Sequence, residues 1–342
     1  MEVKVDSGQR IEYIDLAKGF CIIFVVMNHV SDYYNLDFWI NDFITAFRMP
    51  LYYFLSGVFF KTYNGFSNFL KKKTNKLLIP FVFFYLVTSL PLKWLSIRQL
   101  GEGGGIGLLD LLTGVYYEDF SNSAIWFLLS LFFVNLLFYL IFSVSTLTKK
   151  HSTLIIVLLS MIVGFIGLLL GYLEINLPLY IDTSLTALPF FMAGFVIKKY
   201  TNLLGPNSLD KYTFLVILIC FAIVGVFSDG KVIFIKNVYS TQSYFTLYPL
   251  GLLGTIGILY CSKYLNHIPI ISYLGRYSIM VLVTHLLFFP RLKPIVSMVF
   301  GGKMVEMQFV VTFLLTLLLC FALIPLMKRF LPHVTAQKDV LK

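Results

Sequence analysis

The chain has 342 residues, 58% of them hydrophobic and only 13% charged, and a formal net charge of +10. No soluble protein of this length hides 35 Phe and 21 Tyr in one or two cores, so the chain is expected to be a multi-span membrane protein. The basic surplus is spread as single lysines and short runs among apolar segments, which fits a topological signal and argues against a nucleic-acid partner.

Apolar stretches long enough to cross a ~30 Å hydrocarbon layer fall near 14–32, 40–60, 76–95, 123–144, 153–173, 181–198, 212–229, 242–262, 271–290 and 307–327. The expectation is an all-α polytopic bundle of about ten transmembrane helices, with residues 1–342 forming a single integral-membrane domain. The first stretch is not read as a cleaved leader, because Glu12 and Asp15 flank it and no small-x-small site follows. Lysines cluster at alternate loops, at Lys71, Lys72, Lys73 and Lys76, at Lys149 and Lys150, at Lys198, Lys199 and Lys211, and at Lys328 with Arg329. The intervening loops carry Asp32 and Asp37, then Glu102, Asp110, Glu118 and Asp119, then Glu174. By the positive-inside rule both termini are cytoplasmic. Two outer loops, with Lys231 and Lys236 and with Arg291, Lys293 and Lys303, depart from the pattern. The glycine-rich stretch 101–107 lacks the GK[ST] ending of a phosphate loop and reads as an outer loop. Cys21, Cys220, Cys261 and Cys320 lie within or at the ends of apolar runs and suggest no disulfide framework.

Ionisable groups inside a span are costly unless paired or facing a polar cavity. In the first span, Lys18 and His29 are eleven positions apart, about 20° from eclipsed on a helix, with His29 roughly 16 Å further outward. Asp15 lies on nearly the same stripe and can pair with Lys18. In the second span Arg48, Tyr52 and Ser56 follow at i, i+4 and i+8, a polar stripe on an apolar helix. A membrane-embedded arginine needs an anion, whereas Ser56 and Gly57 also fit close helix packing.

Five segments, "RIEYIDLAKGF…VVMNH", "FRMPLYYFLSGVFF", "AIWFLLSLFFVN", "ALPFFMAGFVIKK" and "LGRYSIMVLVTHLLF", appear in the order found in the membrane acyltransferase 3 family. Within it the chain most resembles the fucose 4-O-acetylase-like O-acetyltransferases. The most specific element is a basic residue, ten intervening residues and a histidine, met by Lys18 and His29. Lys18 stands where many relatives have arginine, and Arg48 where many have a histidine before Met-Pro. The resemblance implies acetyl-CoA as donor, a carbohydrate hydroxyl as acceptor, and a multi-pass protein of the cell (inner or plasma) membrane surrounded by lipid.

Transfer of an acyl group from a thioester to a hydroxyl requires a base, an oxyanion donor and cations for the donor's phosphates. His29 is the expected general base. Lys18, Arg48 and Arg276 are the expected donor-binding cations, with Asp15, Tyr52 and Ser56 in support. In the ninth span Arg276 and His285 are half a turn out of phase on a regular helix, whereas Ser278 and His285 share a face. His285 is then either a second site histidine or one hydrogen-bonded within the bundle. Trp126 is either an interfacial anchor or a platform for an acceptor ring. Asp182 and Thr186 are expected to line an outer acceptor pocket, or else to pack inside the bundle. No two histidines or carboxylates have ligand spacing on one helix, so no metal is implied. The rival reading is an exporter of polysaccharide or lipid-linked sugar, although no inverted repeat or pair of broken helices supports it.

Overall fold

The computed structural model describes residues 11–89, 122–147, 152–201, 205 and 212–341. The glycine-rich stretch 101–107, the acidic residues Glu102, Asp110, Glu118 and Asp119, and Lys149, Lys150 and Lys211 lie outside the described residues. Among the described residues the fold is helical apart from a two-residue ribbon, in which Val232 pairs with Tyr239 and Ile233 with Val238. In chain order the helices are α1 (Glu12–Tyr33), α2 (Trp39–Thr45), α3 (Arg48–Val58), α4 (Phe66–Lys73), α5 (Ile79–Phe84), α6 (Trp126–Thr146), α7 (Ser152–Tyr172), α8 (Ile181–Tyr200), α9 (Thr213–Phe227), α10 (Thr241–Leu265), α11 (Pro269–Arg276), α12 (Ser278–Val299) and α13 (Val305–Phe330).

Seven helical segments in the described residues are long and apolar enough to cross a membrane. They correspond to the first, fourth, fifth, sixth, eighth, ninth and tenth expected spans; about ten were expected. The second expected span is broken between α2 and α3. Pro50 has no N–H to bond the Ala46 carbonyl, so the helix cannot run through, and proline is tolerated in the first turn of α3 instead. The third expected span is irregular in its described part. A π-helical turn at Thr74–Leu78 precedes Pro80, and a second follows at Tyr85–Ser89. The seventh is the 15-residue α9. The ninth begins before its expected start and is interrupted at Tyr277 (φ −114°, ψ 30°), which separates α11 from α12.

The outside of the bundle is apolar. Leu154, Leu158, Ile162, Phe165 and Leu169 on α7, and Leu314 and Leu318 on α13, are exposed at helical spacing, as expected of side chains facing lipid tails. Inside, glycines let helices touch through their backbones. A Cβ on Gly57 would collide with the Phe191 carbonyl of α8, and one on Gly194 with the Phe54 carbonyl of α3. Gly19 and Gly275 bring α1 and α11 together in the same way. These two contacts fix α1 and α3 in the bundle, and the candidate site lies between them.

After α13 the chain turns back beneath the bundle. The Asn75 carboxamide accepts from the Val340 and Leu341 amides at 2.8 Å each and donates to the Leu341 carbonyl at 2.8 Å. Asp339 pairs with Lys72 at 2.6 Å and Lys76 at 3.4 Å. The tail therefore ends on the same side as α4.

Candidate active site

Two cavities approach each other along the axis set by α1, α3, α6 and α12. The outer one, about 590 Å3, has His29, Arg48 and Trp126 in its wall, with Asp32, Asp37 and Asp42 towards its rim. The inner one, about 510 Å3, is lined by Lys18, Tyr52, Ser56, Lys72, Lys73 and Lys76 among others. Phe127 and Leu282 line both, so the separating layer includes these two side chains.

The helical register explains the arrangement. α1 starts at the inner side and carries Lys18 into the inner cavity and Asn28, His29 and Asp32 into the outer one. α3 runs the opposite way, with Arg48 in the outer cavity and Tyr52 and Ser56 in the inner. On α12, Ser278, Leu282 and His285 share one face and climb from the inner cavity to His29.

At the top of that stripe the two imidazoles meet. His29 Nδ1 lies 2.8 Å from His285 Nε2, with the rings nearly coplanar (4°), edge to edge, and their centroids 5.1 Å apart. His285 Nδ1 lies 2.9 Å from the Val281 carbonyl. A carbonyl can only accept, so His285 carries its proton on Nδ1. In the neutral pair, His285 Nε2 is then an acceptor and His29 Nδ1–H donates to it. The remaining lone pair of the chain is on His29 Nε2, in a ring that lines the outer cavity. His285 is fully buried, with 0% exposure. The arrangement fixes one tautomer of His29 through a second residue, which is how a general base is oriented.

Beside it, the Arg48 guanidinium donates to the Asn28 carboxamide oxygen, and Asn28 Nδ2 donates to Asp32 Oδ2 at 2.6 Å. Cys21 Sγ donates to the Arg48 carbonyl at 2.7 Å. Arg48 is therefore a fixed cation in the cavity that holds His29.

The other expected residues fall as follows. Lys18 and Arg48 do not share a cavity. Tyr52 donates to the Lys18 carbonyl at 3.3 Å, joining α3 to α1 in the inner cavity. Arg276 lies at the inner end of the bundle, 3.3 Å from Glu12 and 3.5 Å from Asp15, and lines neither cavity. The phase argument for Arg276 and His285 assumed one regular helix, and the break at Tyr277 removes that premise. Trp126 is 7% exposed, packs on Tyr180 at 5.7 Å and lines the outer cavity. That is not the position of an interfacial anchor. Asp182 and Thr186 are buried and line neither cavity; Thr186 instead donates to Asn237 at 2.9 Å.

Lys72, Lys73 and Lys76 were missed as site residues, because their charge was read only as a topological marker. The last turn of α4 carries Lys72 and Lys73 and the π-turn after it carries Lys76, and all three line the inner cavity. Phe127 and Leu282 were missed as well, since nothing in an apolar run distinguishes a partition from a packed core residue.

The family model described as an acyltransferase domain, that of acyltransferase 3, matches residues 11–331. The chain belongs to the acyltransferase 3 family. No curated protein and no solved structure matches it. Nearly the whole chain of this membrane acyltransferase is thus covered by one family model, and His29, Arg48 and the lysines of the inner cavity all lie within the match.

Proposed function

We propose that this acyltransferase moves an acetyl group from acetyl-CoA, bound in the inner cavity, to a hydroxyl of a cell-envelope carbohydrate bound in the outer cavity. The reading rests chiefly on the lone pair of His29 Nε2, held by His285 and Val281 where the two cavities approach. Lys18, Lys72, Lys73 and Lys76 supply cations for the phosphates of CoA at the inner side. A pantetheine arm can lead from those charges toward the layer of Phe127 and Leu282 that separates the inner cavity from the outer one.

In the reaction, the acceptor oxygen attacks the thioester carbonyl as His29 Nε2 takes its proton. The C–S bond breaks, the imidazolium returns that proton to the CoA thiolate, and the products are an O-acetyl ester and free CoA. Arg48 is the cation in the same cavity that can stabilise the developing oxyanion. Trp126 and the carboxamides of Asn28 and Asn41 give the outer cavity an aromatic face and hydrogen-bonding groups suited to a sugar. In this scheme the protein spans the cell membrane with the lysine-rich side and both termini in the cytoplasm, where CoA is found.

The test is to incubate purified protein with labelled acetyl-CoA and candidate glycosides and follow free thiol and labelled ester together. Stoichiometric appearance of both supports the reading. Transport of a glycan with no consumption of acetyl-CoA would instead favour an exporter, which has no use for an oriented base.

A further inference from the structure

We propose that Phe127 and Leu282 set the acyl-chain length the enzyme accepts, by forming an aperture wide enough for an acetyl group and too narrow for longer chains. The inference rests on the donor occupying the inner cavity. For an acceptor in the outer cavity to be acylated, the thioester carbonyl must reach the layer between the two. That layer includes Phe127 and Leu282, since both line each cavity. Phe127 belongs to the first turn of α6, with Trp126 on the outer side and Leu128 and Leu131 on the inner. Leu282 lies one turn beyond Ser278 on α12 and three residues before His285, so the aperture sits directly beneath the His29–His285 pair.

The Phe127 ring is held on three sides. Its centroid is 5.5 Å from Tyr52, 5.1 Å from Tyr53 and 6.1 Å from Trp126. Two of those neighbours are themselves tied down, Tyr52 by the Lys18 carbonyl at 3.3 Å and Tyr53 by Ser130 at 2.8 Å. Phe127 and Leu282 are 4% and 7% exposed, so neither has open space to swing into. A packed interior resists insertion of even one extra methylene. Acetyl, with a single methyl, asks the least room of this layer, whereas a butanoyl chain would have to displace a ring with three aromatic contacts.

The experiment measures dissociation constants of CoA, acetyl-CoA and butanoyl-CoA for the full-length protein in detergent or nanodiscs, with thermal unfolding as a check on folding. In the wild type, butanoyl-CoA should bind no more tightly than acetyl-CoA. Phe127→Ala or Leu282→Ala opens apolar volume at the aperture. Each of the two added methylenes should then gain about fourfold in affinity, so butanoyl-CoA should move roughly fifteenfold ahead of acetyl-CoA. Phe127→Leu carries the same test with a smaller gain if the larger truncation does not fold. Leu282→Phe should act in the opposite direction and weaken acetyl-CoA relative to CoA. Wild-type protein that already binds butanoyl-CoA tenfold more tightly overturns the proposal, as do folded truncations that keep the wild-type ratio. If neither CoA nor acetyl-CoA binds the wild type, the donor assignment fails along with it. Tight CoA binding that ignores chain length in every variant overturns this inference alone.

Discussion

Replacing His285 with phenylalanine tests how the base is held. The substitution keeps an aromatic ring in the same slot but removes Nε2, the acceptor 2.8 Å from His29 Nδ1. His29 Nδ1–H would then point at a ring edge in a fully buried spot. Leaving a buried donor unpaired costs about 1–3 kcal/mol. His29 can avoid that cost by moving its proton to Nε2, which destroys the lone pair that faces the acceptor. The population of the productive tautomer, and kcat with it, should fall by about 5- to 150-fold, the same free energy expressed as a ratio. The KM for acetyl-CoA should stay close to wild type, because His285 lines neither cavity. His285→Gln places a carboxamide oxygen where Nε2 was and should recover part of the rate. The assay is ester formation from labelled acetyl-CoA at saturating donor, alongside thermal unfolding. A folded His285→Phe protein with kcat within twofold of wild type would refute the tautomer argument.

Burial holds the Lys73 ammonium down to about 8. Its charge is therefore present below that pH and lost above it, so acetyl-CoA affinity should decline as pH rises through about 8, and Lys73→Gln should weaken binding and flatten the profile. At the tail, the hydrogen bond from Lys72, with Lys76 adding to it, holds the Asp339 carboxyl below its ordinary value of 3.8. A depressed carboxylate stabilises docking above its unfolded value and loses that contribution as pH falls through the folded one. Protection of the Val340 and Leu341 amides, relative to their intrinsic exchange at the same pH, should accordingly be high at neutral pH and lower in strong acid or in Asp339→Asn. Topology is checked with an impermeant thiol reagent on intact cells. A cysteine at Met304, exposed between α12 and α13, should react and one at Lys72 should not; the reverse would invert the side from which the donor enters.

Much of the site was legible because charge in a membrane span is expensive. Lys18, His29 and Arg48 stood out for that reason alone, and helical periodicity correctly placed Ser278 and His285 on one face. Contacts between distant segments were not legible. His29 and His285 are separated by 256 positions, and no local pattern says that their rings hydrogen-bond. Periodicity also says nothing of where a cavity is partitioned. Arg48, Tyr52 and Ser56 do share a stripe, but the partition at Phe127 puts the arginine in one cavity and the other two in the next. Residue type alone could not separate a tryptophan at a lipid interface from one in a cavity wall, as Trp126 shows. Asp182 looked functional for the same reason as His29, yet lines neither cavity.

The central claim is that His29 Nε2 takes the acceptor's proton. Acetyl transfer by His29→Ala, measured against wild type with acetyl-CoA binding and unfolding temperature determined on the same preparations, tests it most directly. Loss of a general base costs about 10²–10⁴-fold in rate. The expected result is a fall of that size with donor affinity and stability retained. A variant that binds acetyl-CoA normally and still transfers at more than about a tenth of the wild-type rate falls short of that range, and would place the base elsewhere.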